Sequence, residues 1–425
     1  MTLKFRILAG SALAVLLSTG AASAETLSDA ISSAIQSNPQ LDTQRVASEI
    51  ARESLEQARA GGRTTVSVGA SAGYQYTDTN SPFSLNNGDS GSLSAQVQAT
   101  KPIYTGGRVS AGVRQARAGI DAADAQYAGA EQDLILQVIT AYMDLRRDRE
   151  TVAIRQNNVD VAAEQERAAK DRFEVGVVTR TDVSLSTANL EGARAALASA
   201  EAALEASNAN YSFLTGLTPG ELAPPPPVPP LPASLEEATR IGLENNPDMI
   251  AARHNERAAN EAIEAAKAQG RPTVNLVGTA QSQEGYYSSR DVTQSSVSGV
   301  IQGSIPIVTG GLVKSQTKSA RLRRDQARRQ IDSLDRSIRA QVASAWYGYD
   351  ATLRSIEASK RQVEAAEIAY DGAKEELAVG VRTTLDVLDQ EQQLFEARLS
   401  LVQSERNAYV AAHQLLRATG QLTQP

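Results

Sequence analysis

The sequence predicts a mainly α-helical chain that also carries strands of a membrane β-barrel, and three observations lead there. The chain is two copies of one plan. Each copy switches from helical to alternating periodicity and back. Each then runs from a Gly-Gly pair, at Gly106-Gly107 and Gly310-Gly311, to a distant proline, Pro219 or Pro425, without interruption. Thr26-Leu27-Ser28-Asp29-Ala30 with Asn38-Pro39 returns as Ser234-Leu235-Glu236-Glu237-Ala238 with Asn246-Pro247, an offset of 208. Further on the offset is 204, with Pro102 to Gly107 matching Pro306 to Gly311 and Val175-Gly176-Val177 matching Val379-Gly380-Val381. A duplication of this kind is read before any local motif, because it sets the architecture.

Residues 1–24 read as a cleavable secretion signal: Lys4 and Arg6, an apolar run from Ile7 to Leu17, and the small-residue ending Ala22-Ser23-Ala24. The first copy spans 25–219. Asn38 and Asn246 are N-caps with proline at the first helical position, so helices run from there to Gly61 and Gly270. Strands follow at about 64–79 and 90–104, where Val66, Val68, Ala70, Ala72, Tyr74 and Tyr76 alternate with small or polar residues, as do Leu93, Ala95, Val97 and Ala99. The second copy, 234–425, repeats them at about 272–288 and 292–308, with Val274, Leu276 and Ala280, then Val297, Ile301 and Ile305. One apolar and one small, polar face suits a barrel with lipid outside and water inside.

After each Gly-Gly pair a long helix is expected, with coiled-coil seams at Leu134, Val138, Ala141, Leu145 and at Ile338, Val342, Ala345, Tyr349. A helix from Ser110 to Arg172 would be about 95 Å long. The return from Asp182 to Thr215 covers about 50 Å, and the Asn-Pro helix about 35 Å, so the two shorter helices fit end to end beside the long one. Between the copies, 220–233 is a proline-rich strap.

Composition excludes several classes. There is no cysteine, hence no disulfide, thiol metal site or lipid anchor on cysteine. Removing the signal leaves a charge of −9, which disfavours nucleic acid as a partner. Only 4% of residues are aromatic, which is thin for large globular cores but sufficient for alanine-rich coiled coils. No segment after the signal is a membrane helix, so membrane entry requires a closed barrel. Four strands cannot close one, and the chain must share its barrel with copies of itself. Two, three or four copies satisfy the count.

The junctions Pro102-Ile103-Tyr104-Thr105-Gly106-Gly107-Arg108 and Pro306-Ile307-Val308-Thr309-Gly310-Gly311, and the turns Phe173 to Val183 and Val379 to Asp389, resemble those of the TolC family of outer-membrane efflux proteins. The resemblance covers essentially the whole mature chain. It implies a homotrimer, with a twelve-stranded barrel continued by a long periplasmic α-helical barrel. It further implies a place in the outer membrane of a Gram-negative bacterium, export of small molecules or type I secretion of polypeptides, and docking to a periplasmic adaptor and an inner-membrane pump or ABC transporter. A periplasmic coiled-coil adaptor or structural protein is the alternative, disfavoured because adaptors need no paired strand hairpins.

No catalytic constellation and no cofactor are expected. His254 and His413 read as ordinary helix histidines, and the Gly-Gly pairs lack the lysine and hydroxyl of a phosphate loop. The candidate site lies at the helix turns. Gly176, Val177, Gly380 and Val381 are the expected adaptor-docking positions. Asp386 and Asp389 share a helix face, whereas the first copy has Asp182 but Leu185. A three-fold axis would turn the extra acid into a ring, against the bland reading of acids favoured by a helix start. Arg382 stands where the first copy has Val178, and similarity to the family suggests a closing bond to Asp182 or Thr181. The family's tips commonly place an aromatic residue shortly before the glycine, where this chain has Leu377.

Overall fold

The computed structural model describes residues 24–78, 88–287 and 290–423, so the secretion signal lies outside it apart from Ala24. The first copy contributes α1 (Leu27–Ser37), α2 (Pro39–Ala60), β1 (Thr65–Thr77), β2 (Gly88–Tyr104), α3 (Arg108–Glu174) and α4 (Arg180–Thr215). The second contributes α5 (Leu235–Asn245), α6 (Pro247–Ala268), β3 (Thr273–Tyr287), β4 (Arg290–Ser304), α7 (Leu312–Ala378) and α8 (Thr384–Ala418). Both long helices, α3 and α7, have 67 residues and extend about 100 Å.

The strands form one antiparallel meander in the order β1-β2-β3-β4. Its register puts Val68 opposite Val97, Val97 opposite Ala280 and Ala280 opposite Val297, all on one face. The other face aligns Ser71, Ser94, Gln283 and Gln294, with Gln96 opposite Gln281 beside them. An irregularity between Pro102 and Tyr104 returns Tyr104 to the apolar face, opposite Val274. From Val274 to Tyr286 the strand runs about 41 Å, or about 29 Å along the membrane normal at a 45° tilt. Tyr104 near one end and Tyr74, Tyr76 and Tyr286 at the other thus flank a span close to a bilayer's apolar thickness. On the apolar face the charges keep to the ends, with Lys101 near the helices and Asp89, Glu284 and Asp291 far from them. β4 stops at Ser304, short of the expected 308, because its partner β3 begins at Thr273 and leaves Ile305 to Val308 nothing to pair with.

The helices pack as a curved layer. Nearer the sheet the order is α2-α3-α6-α7, and beyond the middle it is α4-α3-α8-α7. Each column change is spliced by one asparagine. Asn38 Oδ1 caps α2 by accepting from Gln40 N at 2.9 Å, while its Nδ2 donates 3.3 Å to Leu214 O at the end of α4. Asn246 does the same between Asp248 N, 2.9 Å, and Ala418 O, 3.2 Å. At Gly420 the approach is tightest, since an added Cβ would lie 2.4 Å from Asn245 O.

The main core lies at this level. Leu27 and Ile31 of α1 pack on Ile135, Ile139 and Tyr142 of α3 and Tyr211 of α4. Tyr142 donates to Ala223 O at 2.6 Å and Glu25 O at 3.0 Å, and Glu25 forms a parallel bridge with Leu222, so the strap is pinned across the tube wall. The first predicted seam, Leu134, Val138, Ala141 and Leu145, is fully buried. In the second only Ile338 and Val342 are, packed with Leu231 of the strap and Leu235 of α5, while Ala345 and Tyr349 stay half-buried.

Candidate gate at the helix turns

At the end of the tube away from the sheet, α3 turns into α4 and α7 into α8 through the same backbone motif. Gly176 and Gly380 have φ of 77° and 75°, the left-handed conformation that glycine adopts without strain. Gly176 N donates to Phe173 O at 3.0 Å and Val177 N to Arg172 O at 2.9 Å. Gly380 N and Val381 N likewise donate to Leu377 O and Glu376 O at 3.0 and 2.9 Å. These are Schellman closures, which satisfy the last carbonyls of the long helices. Val175, Val177, Val379 and Val381 project from the turns at 72–75% exposure.

Each returning helix starts with a capping box. Thr179 is the N-cap of α4 and Asp182 accepts from its backbone N at 2.8 Å and its hydroxyl at 2.7 Å. Thr383 and Asp386 repeat this on α8 at 2.9 and 2.7 Å. The hydroxyl and backbone bonds from Thr179 hold the Asp182 carboxyl below its usual range, and those from Thr383 do the same for Asp386, with help from the Arg382 charge. Both acids are ionised at neutral pH. Asp389 lies one turn further on and is exposed, outside the cap.

The single chain does not join Arg382 to Asp182 or Thr181. Arg382 Nε is bonded instead to the Glu376 carboxylate of its own turn. The sequence reading missed Glu376, although the signal was present: at the offset of 204 the first copy has Arg172 and Val178 where the second has Glu376 and Arg382. The reading also passed over Thr179 and Thr383, whose spacing to Asp182 and Asp386 marks a capping box.

At the opposite end of the tube, Gly106-Gly107 and Gly310-Gly311 all have positive φ and join β2 to α3 and β4 to α7. Arg271 ties the copies there by donating from Nη1 to Gly106 O at 3.1 Å. The histidines lie apart. His254 Nδ1 is 3.3 Å from an Asp121 oxygen, and buried His413 donates from Nδ1 to Tyr409 O at 2.8 Å. Burial holds His413 below the usual imidazole range, so it is neutral.

The family model described as outer membrane efflux protein matches residues 30–217 and 240–421. Outer membrane efflux protein BepC of Brucella suis is 32% identical over 424 residues, covering 97% of this chain and 90% of that protein. Outer membrane protein TolC of Escherichia coli is 28% identical, covering 94% and 83%. The solved structure of VceC from Vibrio cholerae superposes with a TM-score of 0.77 at 22% identity, covering 93% of this chain and 96% of that one. The same mainly α fold with a membrane β-barrel portion, matched through both copies, makes this chain a member of the outer membrane efflux protein family, an exit channel in the outer membrane with a periplasmic extension.

Proposed function

We propose that the chain works as a homotrimer, a passive exit duct for small molecules or secreted polypeptides. A periplasmic adaptor meets its helix turns, and an inner-membrane pump or ABC transporter supplies the energy. One observation carries the assembly: β1 and β4 are open edges of a four-stranded sheet. In lipid each unpaired backbone group costs several kcal/mol, so the edges of neighbouring copies must pair, and three copies make twelve strands. The helical wall has matching edges. Tyr347 and Ile368 of α7 and, at the other edge, Val46, Ile50 and Phe213 of α2 and α4 are exposed apolar side chains that a ring would cover.

Closing the ring sets α7 and its turn beside α4 of the next copy. Arg382 then meets Asp182 or Thr181 of the partner subunit, exchanging an intra-turn bond for one between subunits. Asp386 and Asp389 from three copies form two stacked negative rings at the narrow end, which select cations. The projecting valines at Gly176 and Gly380 offer the adaptor small apolar knobs for its own helical tips. Native mass spectrometry in detergent tests the assembly. Three copies are expected, and a folded monomer as the sole species would refute the shared barrel.

A further inference from the structure

One acid near the turns takes no part in the rings. Glu391 of α8 follows exposed Asp389 by two residues, yet it is only 2% exposed. Its Oε2 accepts from Gln165 Nε2 of α3, so the contact joins the α3–α4 hairpin to the α7–α8 hairpin. Glu391 Oε1 and Gln165 Oε1 are both buried without a hydrogen-bond partner. Two acceptors left unmade in one contact is an expensive arrangement, and an ionised carboxylate adds the cost of a buried charge.

A proton resolves both defects. With the proton on Glu391 Oε1, that oxygen becomes a donor and Gln165 Oε1 its acceptor, while Gln165 Nε2 continues to donate to Glu391 Oε2. The two side chains then close a cyclic acid–amide pair in which both orphaned oxygens find a partner. The surroundings agree. Burial pushes the Glu391 carboxyl up to about 7, against the opposing pull of the Gln165 bond and the Lys374 charge. On α7, Lys374 is drawn to Tyr370, its Nζ lying 5.4 Å from the ring centroid. The Tyr370 hydroxyl in turn lies against Gln165. On α3, Glu164 flanks Gln165 and Arg172 lines the same side of the seam, while Arg155 lines the groove on the other. On α8 the neighbour is Glu396, and the α4 residues lining the groove, Ala188, Asn189, Gly192, Ala193 and Ala196, are uncharged.

We infer that Gln165 and Glu391 form a proton-dependent clasp across the α3–α8 seam, closed as an acid–amide pair when Glu391 is protonated and loosened when it is ionised. The direction follows from linkage. The packed seam favours the protonated acid, so its contribution is full below the usual glutamate value of 4.5 and is lost as pH rises through about 7. Glu391 sits in the second turn of α8, just behind the two rings. Its ionisation therefore frees the α7–α8 turn from α3, and the closed duct opens more readily at pH 8 than at pH 5.5. That last consequence rests on the exit-duct reading, whereas the clasp does not.

The absence of native cysteine makes the test direct, because spin labels on V175C and V379C are the only thiol adducts. Pulsed EPR distances between the two turns are expected to lengthen and broaden from pH 5.5 to pH 8, with a midpoint near 7. Glu391→Gln keeps both hydrogen bonds as an amide–amide pair and is expected to hold the low-pH distribution throughout, while Glu164→Gln, at an exposed acid of α3 paired with Arg167, keeps the transition. An unchanged distribution in the chain that retains Glu391 overturns the clasp, as does a transition that survives Glu391→Gln or vanishes with Glu164→Gln. Closed-state conductance in planar bilayers is measured on the same variants. A pH-dependent distance with pH-independent conductance would overturn the gating consequence alone.

Discussion

The start of α8 combines a helix cap with a candidate charge ring, and the structure shows how to separate them. Thr383 caps the helix without carrying charge, and Asp389 carries charge without capping. Thr383→Ala removes the hydroxyl that accepts from Asp386 N at 3.3 Å and donates to its carboxylate at 2.7 Å. Loss of an N-cap threonine costs about 1 kcal/mol, which is about a fivefold shift in the local opening equilibrium. Hydrogen exchange of the amides in the first turn of α8 should therefore quicken by about fivefold in Thr383→Ala and stay unchanged in Asp389→Ala. Reversal potentials in planar bilayers under a salt gradient should behave the opposite way. Asp389→Ala removes three of the six ring charges of the proposed trimer and should weaken cation selectivity, while Thr383→Ala keeps all six. Unchanged selectivity in Asp389→Ala, with Asp386 also replaced by alanine and still no effect, would return both acids to the role of solvated helix-start residues.

Three further outcomes are expected. Arg382→Ser should raise closed-state conductance while changing stability by less than about 1 kcal/mol, because its bond to Glu376 is a surface pair at 42% and 47% exposure. Glu376→Gln, which releases Arg382 for the partner subunit, should not raise it; equal effects of the two variants would confine Arg382 to its own turn. Gly176→Leu and Gly380→Leu force a side chain into a left-handed backbone at about 1–2 kcal/mol each, with open space around the Cβ. Export assays should fail while trimer yield persists, and loss of the trimer would make these glycines purely structural. Asn246→Asp keeps the cap on Asp248 N but replaces the donor to Ala418 O with a buried carboxylate oxygen at a site 1% exposed. A loss of about 2–3 kcal/mol per chain is expected, read as a lower melting temperature of the helical signal, and an unchanged melting temperature would remove the splice from the account.

What the sequence determined by itself is whatever a short stretch of chain decides. Alternation from Val66 to Tyr76 assigned the two faces of β1, since side chains in a strand alternate whatever lies beyond it. The glycines at 176 and 380 marked the turns because a left-handed helix end selects glycine locally. Duplication added long-range order, as two copies of one plan must place equivalent turns at the same end of the tube. The asparagines were legible only in part: Asn before proline announced a cap, but the amide's second bond, to Leu214 O or Ala418 O, joins residues more than 170 positions apart. Arg382 found Glu376 rather than Asp182 because α4 and α7 occupy opposite edges of one chain, a column order that no local pattern specifies. Glu391 is the clearest case. Two residues from an exposed aspartate, its burial against Gln165 depends on how α3 and α8 come to lie side by side, and only the packing of two distant helices makes that acid different from its neighbours.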